Sequence, residues 1–298
     1  MVNILFCGNG KVLDGINMAL ISIVKYCKVP LNIYILTMDL SDQNANYVPI
    51  YNDDVILISE YIKKVNKDSK IELIDVTKIF KSEYVGCVNM ENKYSPYAFI
   101  RLLADIVPQI PDKILYLDTD ILAYGDIEEL YNIDVSKYEY AACKDYYGKI
   151  FINHNYINSG VMLLNFQLIR QTGLFKKCRA IVNTKKLGFP DQTALNKCVQ
   201  ARLFISDKYN SQRRLRKGDV IRHFCKTIRW YPVYKTNKNP MKNYYKIYPK
   251  YFPLMHTLNI KPWDVDALHK ILKCHEFDDV IETYKKIKKE DKKYETKK

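Results

Sequence analysis

The sequence lacks a long hydrophobic run, a clustered set of cysteines and a leader-like N terminus. No stretch of its 298 residues approaches the roughly 18 consecutive apolar residues of a membrane-spanning helix. The chain opens on a strand-like run without a basic segment or a cleavage site, so we expect no export. Its eight cysteines include no Cys-x-x-Cys pair, and we expect them to be reduced thiols of a cytoplasmic protein, mostly packed in its core.

The sequence also lacks a dinucleotide-binding fingerprint. The first loop, CGNGK at residues 7–11, contains the first two glycines of the pattern, but Leu13 stands where the third glycine of G-x-G-x-x-G is required. No internal repeat is visible. The length therefore allows one large domain or two small ones.

Positive charge is concentrated late in the chain, whose net charge is +14. Residues 207–251 carry 13 Lys and Arg against 2 Asp, and residues 285–298 carry 8 Lys against 3 acidic residues. Such regional basicity predicts a polyanionic ligand or surface, for example an anionic membrane face. From about Tyr284 the chain is a low-complexity lysine segment, for which we expect a frayed helix or disorder.

Alternating patterns predict an α/β fold. Apolar runs typical of strands occur at residues 3–8, 31–37, 71–77, 112–118, 138–145 and 158–166. Segments with helical patterns occur at 15–27, 95–107 and 190–200. Ser95 is placed to cap the second of these helices, with Pro96 as its first residue. We expect one open, mostly parallel sheet flanked by helices on both faces, with a basic C-terminal extension.

The strand predicted at 112–118 ends in two aspartates separated by one threonine. In open α/β sheets ligands bind at the carboxyl ends of the strands, and Asp118 and Asp120 stand at such an end. Placing the two carboxylates side by side becomes favourable if a divalent cation bridges them. Paired carboxylates suit Mg²⁺ or Mn²⁺, either of which can hold a diphosphate. A turn-capping aspartate beside a solvated one explains the pair equally well on its own.

Three later segments favour the metal site. In YINSGVMLLN, Asn158, Ser159 and Gly160 come just before an apolar strand and offer small polar groups and exposed backbone. In FPDQTALN, Asp191 and Gln192 lie in the first turn of a predicted helix, and in VIRHFCK a strand-like run contains His223. The histidine would be a third metal ligand.

In order and spacing these motifs resemble family 8 glycosyltransferases of the GT-A fold, which include glycogenin and the bacterial galactosyl- and glucosyltransferases of lipopolysaccharide synthesis. The resemblance spans about residues 3–265 and implies a retaining enzyme that uses Mn²⁺ or Mg²⁺ to transfer glucose or galactose from a UDP-sugar. The implied acceptor is a glycan, a lipid-linked saccharide or a glycoprotein, reached from the cytoplasm or at the inner membrane face. We expect a GT-A domain at 1–265, in which segment 223–263 closes over the acceptor, and a C-terminal helix with a Lys-rich tail at 266–298.

The resemblance also implies roles for individual residues. Asp118 and Asp120 would chelate the metal, and Asp191 and Gln192 would be the catalytic pair beside the anomeric carbon. Since an amide is a poor nucleophile, front-side attack by the acceptor hydroxyl is favoured over a covalent intermediate. The residues implied in donor binding are Cys7, Gly8, Asn9, Arg101, Asp118, Thr119, Asp120, Asp145, Asn158, Ser159, Arg229 and Lys261.

The sequence departs from the family pattern at two places. The first loop has Asn9 where the family often has an acidic residue against uracil. The C-terminal motif, a histidine and an aromatic residue followed by Lys-Pro-Trp, is split between HFCKTIRW (223–230) and HTLNIKPW (256–263). The intervening segment is basic and rich in tyrosine, as expected of an insertion in the acceptor region.

Two histidines therefore compete for the role of third metal ligand. We predict His223, because a strand end holds a ligand more firmly than a loop does, and His256 is the alternative. Lys261 would then cover the diphosphate, with Arg229 as its substitute.

Two other functions compete with glycosyl transfer. A haloacid-dehalogenase-type phosphatase also ends an apolar strand in D-x-D, but this assignment leaves Asn158, Asp191 and Gln192 without a role. The interleaved cations and aromatic residues at 229–252 are compatible with single-stranded nucleic acid. No named nucleic-acid motif is present, so we expect no nucleic-acid partner.

Overall fold

The computed structural model describes residues 1–92, 95–213, 215–225, 282–287 and 289. Its strands are β1 Val2–Cys7, β2 Leu31–Thr37, β3 Lys70–Asp75, β4 Lys113–Leu117, β5 Ile121–Ala123, β6 Tyr140–Lys144, β7 Ile157–Asn165, β8 Arg202–Phe204 and β9 Ile221–His223. Its α-helices are α1 Leu13–Tyr26, α2 Ile56–Val65, α3 Thr77–Glu83, α4 Glu128–Tyr131, α5 Gly148–Phe151, α6 Phe166–Thr172, α7 Leu174–Thr184 and α8 Pro190–Cys198. A long 3-10 helix covers Pro96–Ile106, and 3-10 turns cover Gly10–Val12, Asp53–Val55 and Asp207–Tyr209.

Seven strands form one sheet in the order β3-β2-β1-β4-β7-β6-β8. All of them run parallel except β7, which is antiparallel to both β4 and β6. The predicted open, mostly parallel central sheet is therefore confirmed, and β5 and β9 form a separate two-stranded ribbon. Because the chain moves outward from β1 to β3 and then returns to β4 on the other side of β1, the β1–β4 boundary is the topological switch point at which such sheets bind ligands.

Both faces of the sheet are buried, which explains the near-continuous apolar pattern of its strands. On one face, Ile4 and Phe6 of β1 pack with α1 and α2. On the other face, Leu5 and Cys7 pack with the 3-10 helix and with α6, α7 and α8. Fully burying one large aliphatic side chain stabilises the fold by roughly 1.5–3 kcal/mol.

The predicted helix and strand segments are found with their ends shifted by a few residues, but the expected Ser95 cap is wrong. The Ser95 side chain makes no capping hydrogen bond. Instead, its backbone carbonyl accepts the N–H of Ala98 at 3.0 Å, because the helix winds with the i to i+3 bonds of a 3-10 helix.

Of the two alternatives expected from about Tyr284, a frayed helix or disorder, the described start of that segment is helix. Residues 282–287 are helical, and Tyr284 and Ile287 are buried in the same apolar cluster as α1 and α2. Because residues i and i+3 share one face of a helix, the two side chains pack together although lysines surround them in sequence. The basic extension expected beyond the domain falls largely outside the described residues.

The cysteines behave as expected within the described part of the chain. The seven described cysteines are free thiols, and five of them are buried. Cys274 lies outside the described residues. Among the described helices, none is long and apolar enough to cross a membrane.

Candidate active site

Asp118, Asp120 and His223 come together at the carboxyl end of β4. The strand ends at Leu117, and the antiparallel β5–β9 ribbon brings His223 back to the two aspartates. The Nε2 atom of His223 lies 3.6 Å from Oδ2 of Asp118 and 3.2 Å from Oδ1 of Asp120. The N–H of Phe224 donates to the carbonyl of Asp120 at 2.8 Å. This bond connects the end of β9 to residues 118–120 between β4 and β5, the aspartate loop. One ligand atom from each of the three residues lies within 4.8 Å of the other two.

The three side chains fit a divalent cation. Two carboxylates and an imidazole are a donor set that suits Mn²⁺ or Mg²⁺. Neighbouring ligands of an octahedral ion are about 3 Å apart when each is ~2.1 Å from the metal, close to the 3.2 Å between His223 and Asp120. Gly160 leaves room for them: a Cβ there would lie 2.2 Å from Cε1 of His223 and 2.7 Å from Oδ2 of Asp118.

The imidazole and the carboxylates shift one another's pKa values. Burial favours the neutral form of His223, but Asp120 and then Asp118 outweigh it and raise the pKa of His223 above 6.5. Burial also opposes the charge on Asp120, yet the nearby His223 holds the pKa of Asp120 below 3.8. Each group therefore stabilises the charged form of the other, and a cation that binds through Nε2 has to displace the proton on that nitrogen.

A chain of hydrogen bonds sets the tautomer of His223. The Asp145 carboxylate accepts from Nδ2 of Asn158 at 2.9 Å, so Oδ1 of Asn158 is free to accept from Nδ2 of Asn210, also at 2.9 Å. Oδ1 of Asn210 then lies 3.1 Å from Nδ1 of His223. Because a carboxylate oxygen only accepts, the direction of every bond follows from Asp145, and Nδ1 must be the donor. In the neutral imidazole this leaves the lone pair on Nε2, which faces the aspartates.

Arg101 links Asp118 to the start of α8. It is buried on the 3-10 helix, with Nη2 2.7 Å from Oδ1 of Asp118 and Nε 3.2 Å from Oδ2 of Asp191. Its Nη1 donates to the carbonyl of Ser159 at 2.6 Å, and its guanidinium lies 4.0 Å from the ring centre of Tyr116. The arginine thereby fixes the relative positions of the two carboxylates. Its predicted contact with the donor stays a prediction.

Asp191 and Gln192 lie in the first turn of α8, which begins at Pro190. Burial raises the pKa of Asp191, and Arg101 opposes that shift. Oε1 of Gln192 accepts from both the N–H and the hydroxyl of Ser159, at 3.0 and 3.2 Å. The two side chains predicted to be catalytic therefore share the sheet edge with Asp118, Asp120 and His223, the candidate metal-ligand cluster.

The first loop packs tightly beside this edge. Cys7 and Asn9 are buried, and Oδ1 of Asn9 accepts the N–H of Lys11 at 3.2 Å. A Cβ on Gly15 of α1 would lie 2.3 Å from the carbonyl of Thr119, so the aspartate loop rests directly on this helix. The predicted contacts of Cys7, Gly8, Asn9 and Thr119 with the donor are not tested by these packing contacts.

Two polar side chains that contact the site, Tyr116 and Asn210, were not predicted from the sequence. Tyr116 donates to Oδ1 of Asp118 at 2.6 Å, and its position could have been inferred because residues i and i+2 of a strand share a face. Asn210 follows a 3-10 turn, and no local pattern distinguishes it from other loop asparagines. The predicted site residues Arg229, His256 and Lys261 lie outside the described residues.

Comparison with known proteins relates the chain to one family. The profile of glycosyl transferase family 8 matches residues 3–267. Lipopolysaccharide 1,2-glucosyltransferase of Escherichia coli K12 is 23% identical over 289 residues, which cover 89% of this chain and 80% of the relative. Glycosyltransferase GlyA of Streptococcus pneumoniae serotype 4 is 31% identical over 146 residues, which cover 46% of this chain and only 20% of GlyA. The chain also spans 63% and 54% of two further curated relatives, so it covers less than two thirds of several relatives that it matches.

The solved structures show the same fold. The galactosyltransferase LgtC, crystallised with donor and acceptor sugar analogs, superposes with a TM-score of 0.54 at 17% identity, covering 70% of this chain and 75% of LgtC. The sheet with its flanking helices is thus a GT-A fold. The chain belongs to glycosyl transferase family 8. This membership favours glycosyl transfer over the phosphatase and nucleic-acid alternatives.

Proposed function

We propose that this family 8 enzyme is a retaining, metal-dependent hexosyltransferase that moves glucose or galactose from a UDP-sugar to a glycan, a lipid-linked saccharide or a glycoprotein. The observation that carries the proposal is the cluster of Asp118, Asp120 and His223 at the carboxyl end of β4, beside the switch point of the sheet. The name of the E. coli relative supports glucose as the transferred sugar and a lipopolysaccharide as one type of acceptor.

The metal-binding role is assigned to the residues of that cluster. Asp118, Asp120 and His223 would hold Mn²⁺ or Mg²⁺. When bound, the ion would supply Lewis-acid stabilisation of the negative charge on the departing diphosphate. Asn210 keeps the lone pair of His223 directed at the aspartates, and Arg101 keeps Asp118 in place.

The reaction centre is assigned to Asp191 and Gln192. In a retaining transfer the bond from the anomeric carbon to the diphosphate oxygen breaks, and a bond from that carbon to the acceptor oxygen forms on the same face. The acceptor's hydroxyl proton leaves with the diphosphate. Ser159 holds Oε1 of Gln192 through two hydrogen bonds. An amide oxygen held in this way suits electrostatic stabilisation of positive charge on the sugar better than nucleophilic attack.

The remaining contacts to the donor follow the family resemblance. Cys7, Gly8 and Asn9 of the first loop are assigned to the uridine, together with the backbone of Thr119. Asp145 and Asn158 are assigned to the sugar, for which Asp145 is already oriented by the N–H groups of Tyr147 and Gly148. Arg229 and Lys261 are assigned to the diphosphate on sequence grounds alone.

The proposed location of the enzyme in the cell follows from the positive charge of the later part of the chain. The basic later part of the chain would hold the enzyme at an anionic membrane surface on the cytoplasmic side, where a lipid-linked acceptor is within reach.

A hydrolysis screen tests the proposed function. Purified protein is incubated with UDP-glucose, UDP-galactose and other UDP-sugars, with Mn²⁺, with Mg²⁺ or with a chelator, and free UDP is measured. We expect slow release of UDP from one or two hexose donors, abolished by the chelator and by Asp120→Asn but retained by Asp68→Asn, an exposed carboxylate in the turn before β3. The proposal would be overturned if no UDP-sugar were bound and none were hydrolysed under any of these conditions.

A further inference from the structure

A basic cleft of about 510 Å³ opens beside the metal-ligand cluster. One wall is the segment that follows β6, and the other is the loop between the Asp207–Tyr209 turn and β9. Among the described residues that line it are four cations and one carboxylate: Lys144, Lys149, Arg213, Arg216 and Asp207. This imbalance gives the cleft a positive potential that favours an anionic ligand.

Most of this charge is not neutralised by neighbouring acids. Arg216 lies 3.4 Å from Asp219 and is partly matched. Within the described part of the chain, Lys144, Lys149 and Arg213 form no ion pair with a carboxylate, and their contacts are instead with neutral or aromatic groups. These three cations are therefore available to an incoming anion.

Buried polar contacts hold the cleft in shape. The buried side chain of Gln212 accepts the N–H of Tyr146 at 2.9 Å and donates to the carbonyl of Lys144 at 2.9 Å, which joins the two walls. Arg213 donates to the Tyr146 hydroxyl at 2.7 Å and lies over the same ring, 4.4 Å from its centre. Lys149 approaches that ring to 5.4 Å. Tyr146 thus holds both cations at the cleft wall through cation–π contacts, where they can meet an anion.

One buried side chain, that of Asn210, stands between the cleft and the cluster of Asp118, Asp120 and His223. Asn210 lines the cleft and also contacts His223 and Asn158 at 3.1 and 2.9 Å. A ligand in the cleft is thus one side chain away from the residues assigned to the metal and to the donor sugar. An acceptor bound in the cleft would therefore lie next to these residues.

We propose that this cleft selects an acceptor saccharide that bears an anionic substituent, a phosphate or a carboxylate. The inference rests on the proposed transfer function and specifies its acceptor class. Lys149 and Arg213, held against the Tyr146 ring, would bind the anion together with Lys144. A neutral acceptor would leave these three cations of the cleft lining unmatched.

Binding measurements on the whole protein test the selection. The enzyme is first saturated with UDP and Mg²⁺ to fill the donor site and is then titrated calorimetrically with glucose, glucose 6-phosphate, glucuronate or inorganic phosphate. We expect at least one anionic sugar to bind roughly tenfold or more tighter than glucose, since each exposed ion pair contributes a few-fold in affinity. The difference should shrink when NaCl is raised to about 0.5 M, because salt screens exposed charges. Tighter binding of the phosphate or of the uronate identifies which anion the cleft prefers.

A matched set of variants locates the binding. The triple variant Lys144→Gln, Lys149→Gln, Arg213→Gln should lose the preference for anionic sugars. The control Lys63→Gln, Lys64→Gln, Lys176→Gln, which removes three exposed lysines on α2 and α7, should keep it. If the first triple variant melts far below the wild type, Lys149→Gln alone is used, and we expect it to lose a few-fold of the preference.

Three results would overturn the inference: equal affinity for glucose and both anionic sugars, inorganic phosphate binding as tightly as glucose 6-phosphate, or loss of anionic-sugar binding once UDP fills the donor site. The second result would show a simple anion site, and the third would show that the anionic sugar binds at the donor's own phosphate site. Hydrolysis of UDP-sugars by the wild type is measured in parallel. Intact hydrolysis without a preference for anions refutes the acceptor class alone, whereas the absence of both binding and hydrolysis of every UDP-sugar refutes the proposed function.

Discussion

The Nδ1 atom of His223 lies 3.1 Å from Oδ1 of Asn210, and this contact determines which nitrogen of the histidine faces the aspartates. Asn210 is itself oriented through Asn158 by the acceptor-only carboxylate of Asp145. The orientation of this candidate metal ligand is thus set by a residue directly after β6, one on β7 and one in the loop before β9. Second-layer hydrogen bonds of this kind raise the basicity of a metal-bound histidine and hold its ring in position.

Replacing Asn210 should weaken metal binding without unfolding the protein. In Asn210→Ala, Nδ1 of His223 loses its acceptor, so the ring can rotate and take the other tautomer. We expect the Mn²⁺ affinity, measured by electron paramagnetic resonance, to fall by roughly 10–100-fold. Asn46→Ala, at an exposed loop position, is the control and should bind Mn²⁺ like the wild type. An unchanged affinity in Asn210→Ala would remove its orienting role.

The paired aspartates should be needed for the ligand response and not for the fold. Asp118→Ala removes a carboxylate that is paired with Arg101, and Asp120→Ala removes one that is paired with His223, so each loses one ion pair while relieving the repulsion between the two aspartates. We expect both variants to remain folded and to lose activity by roughly a hundredfold or more. Thermal melts should show the wild type stabilised by UDP plus Mn²⁺ and the variants not stabilised. A variant with near-normal turnover would exclude that residue as a metal ligand.

Stabilisation by metal should depend on pH through His223. Burial and the nearby Arg222 lower the pKa of His223, but Asp120 and Asp118 outweigh them and raise it. The pair of protonated His223 and Asp120 therefore contributes stability below pH 6.5, and this contribution is lost as the pH rises through the raised pKa. The pKa of Asp120 is lowered, so its share is present above pH 3.8 and is lost as the pH falls through the lowered value. Mn²⁺ requires the neutral imidazole, so its gain in melting temperature should increase from about pH 5.5 to about pH 8. In His223→Ala this increase should be absent.

The two candidate histidines can be separated by substitution. We expect His223→Ala to raise the Mn²⁺ concentration needed for half-maximal UDP-sugar hydrolysis by at least about tenfold, because His223 is within 3.6 Å of both aspartates. His256→Ala should change it little. The reverse result would make HTLNIKPW the working family motif and would assign His223 to the acceptor side.

The lysines near the C terminus should contribute to membrane binding independently of folding. Lys285, Lys286 and Lys289 are exposed, whereas Tyr284 and Ile287 of the same helix are buried. Changing the three lysines to glutamine should weaken binding to anionic vesicles, by on the order of 1 kcal/mol per lysine at low salt, and should leave the melting temperature unchanged. Ile287→Ala should instead destabilise the protein by about 2–5 kcal/mol and leave vesicle binding per folded molecule unchanged. Equal vesicle binding by the lysine variant and the wild type would contradict the membrane role.

The sequence by itself was sufficient for much of the fold. Apolar runs predicted the main strands because a strand buried on both faces needs apolar residues at successive positions. The position of Asp118 and Asp120 followed from the same pattern, since a buried strand has to end where charges begin. The grouping of these aspartates with Asp191 and Gln192 came from family resemblance, because no local pattern links residues on different elements.

Tertiary structure alone decided which polar groups meet. The pairing of β5 with β9 puts His223 opposite Ile121 and so beside Asp120, a register that neither short strand specifies by itself. Arg101 reaches Asp118 and Asp191 only because the 3-10 helix crosses the β4 and α8 ends, and Asn210 contributes from a loop. Hydrophobic periodicity records burial along one element, whereas the geometry of a site depends on distances between elements, and those are set by packing.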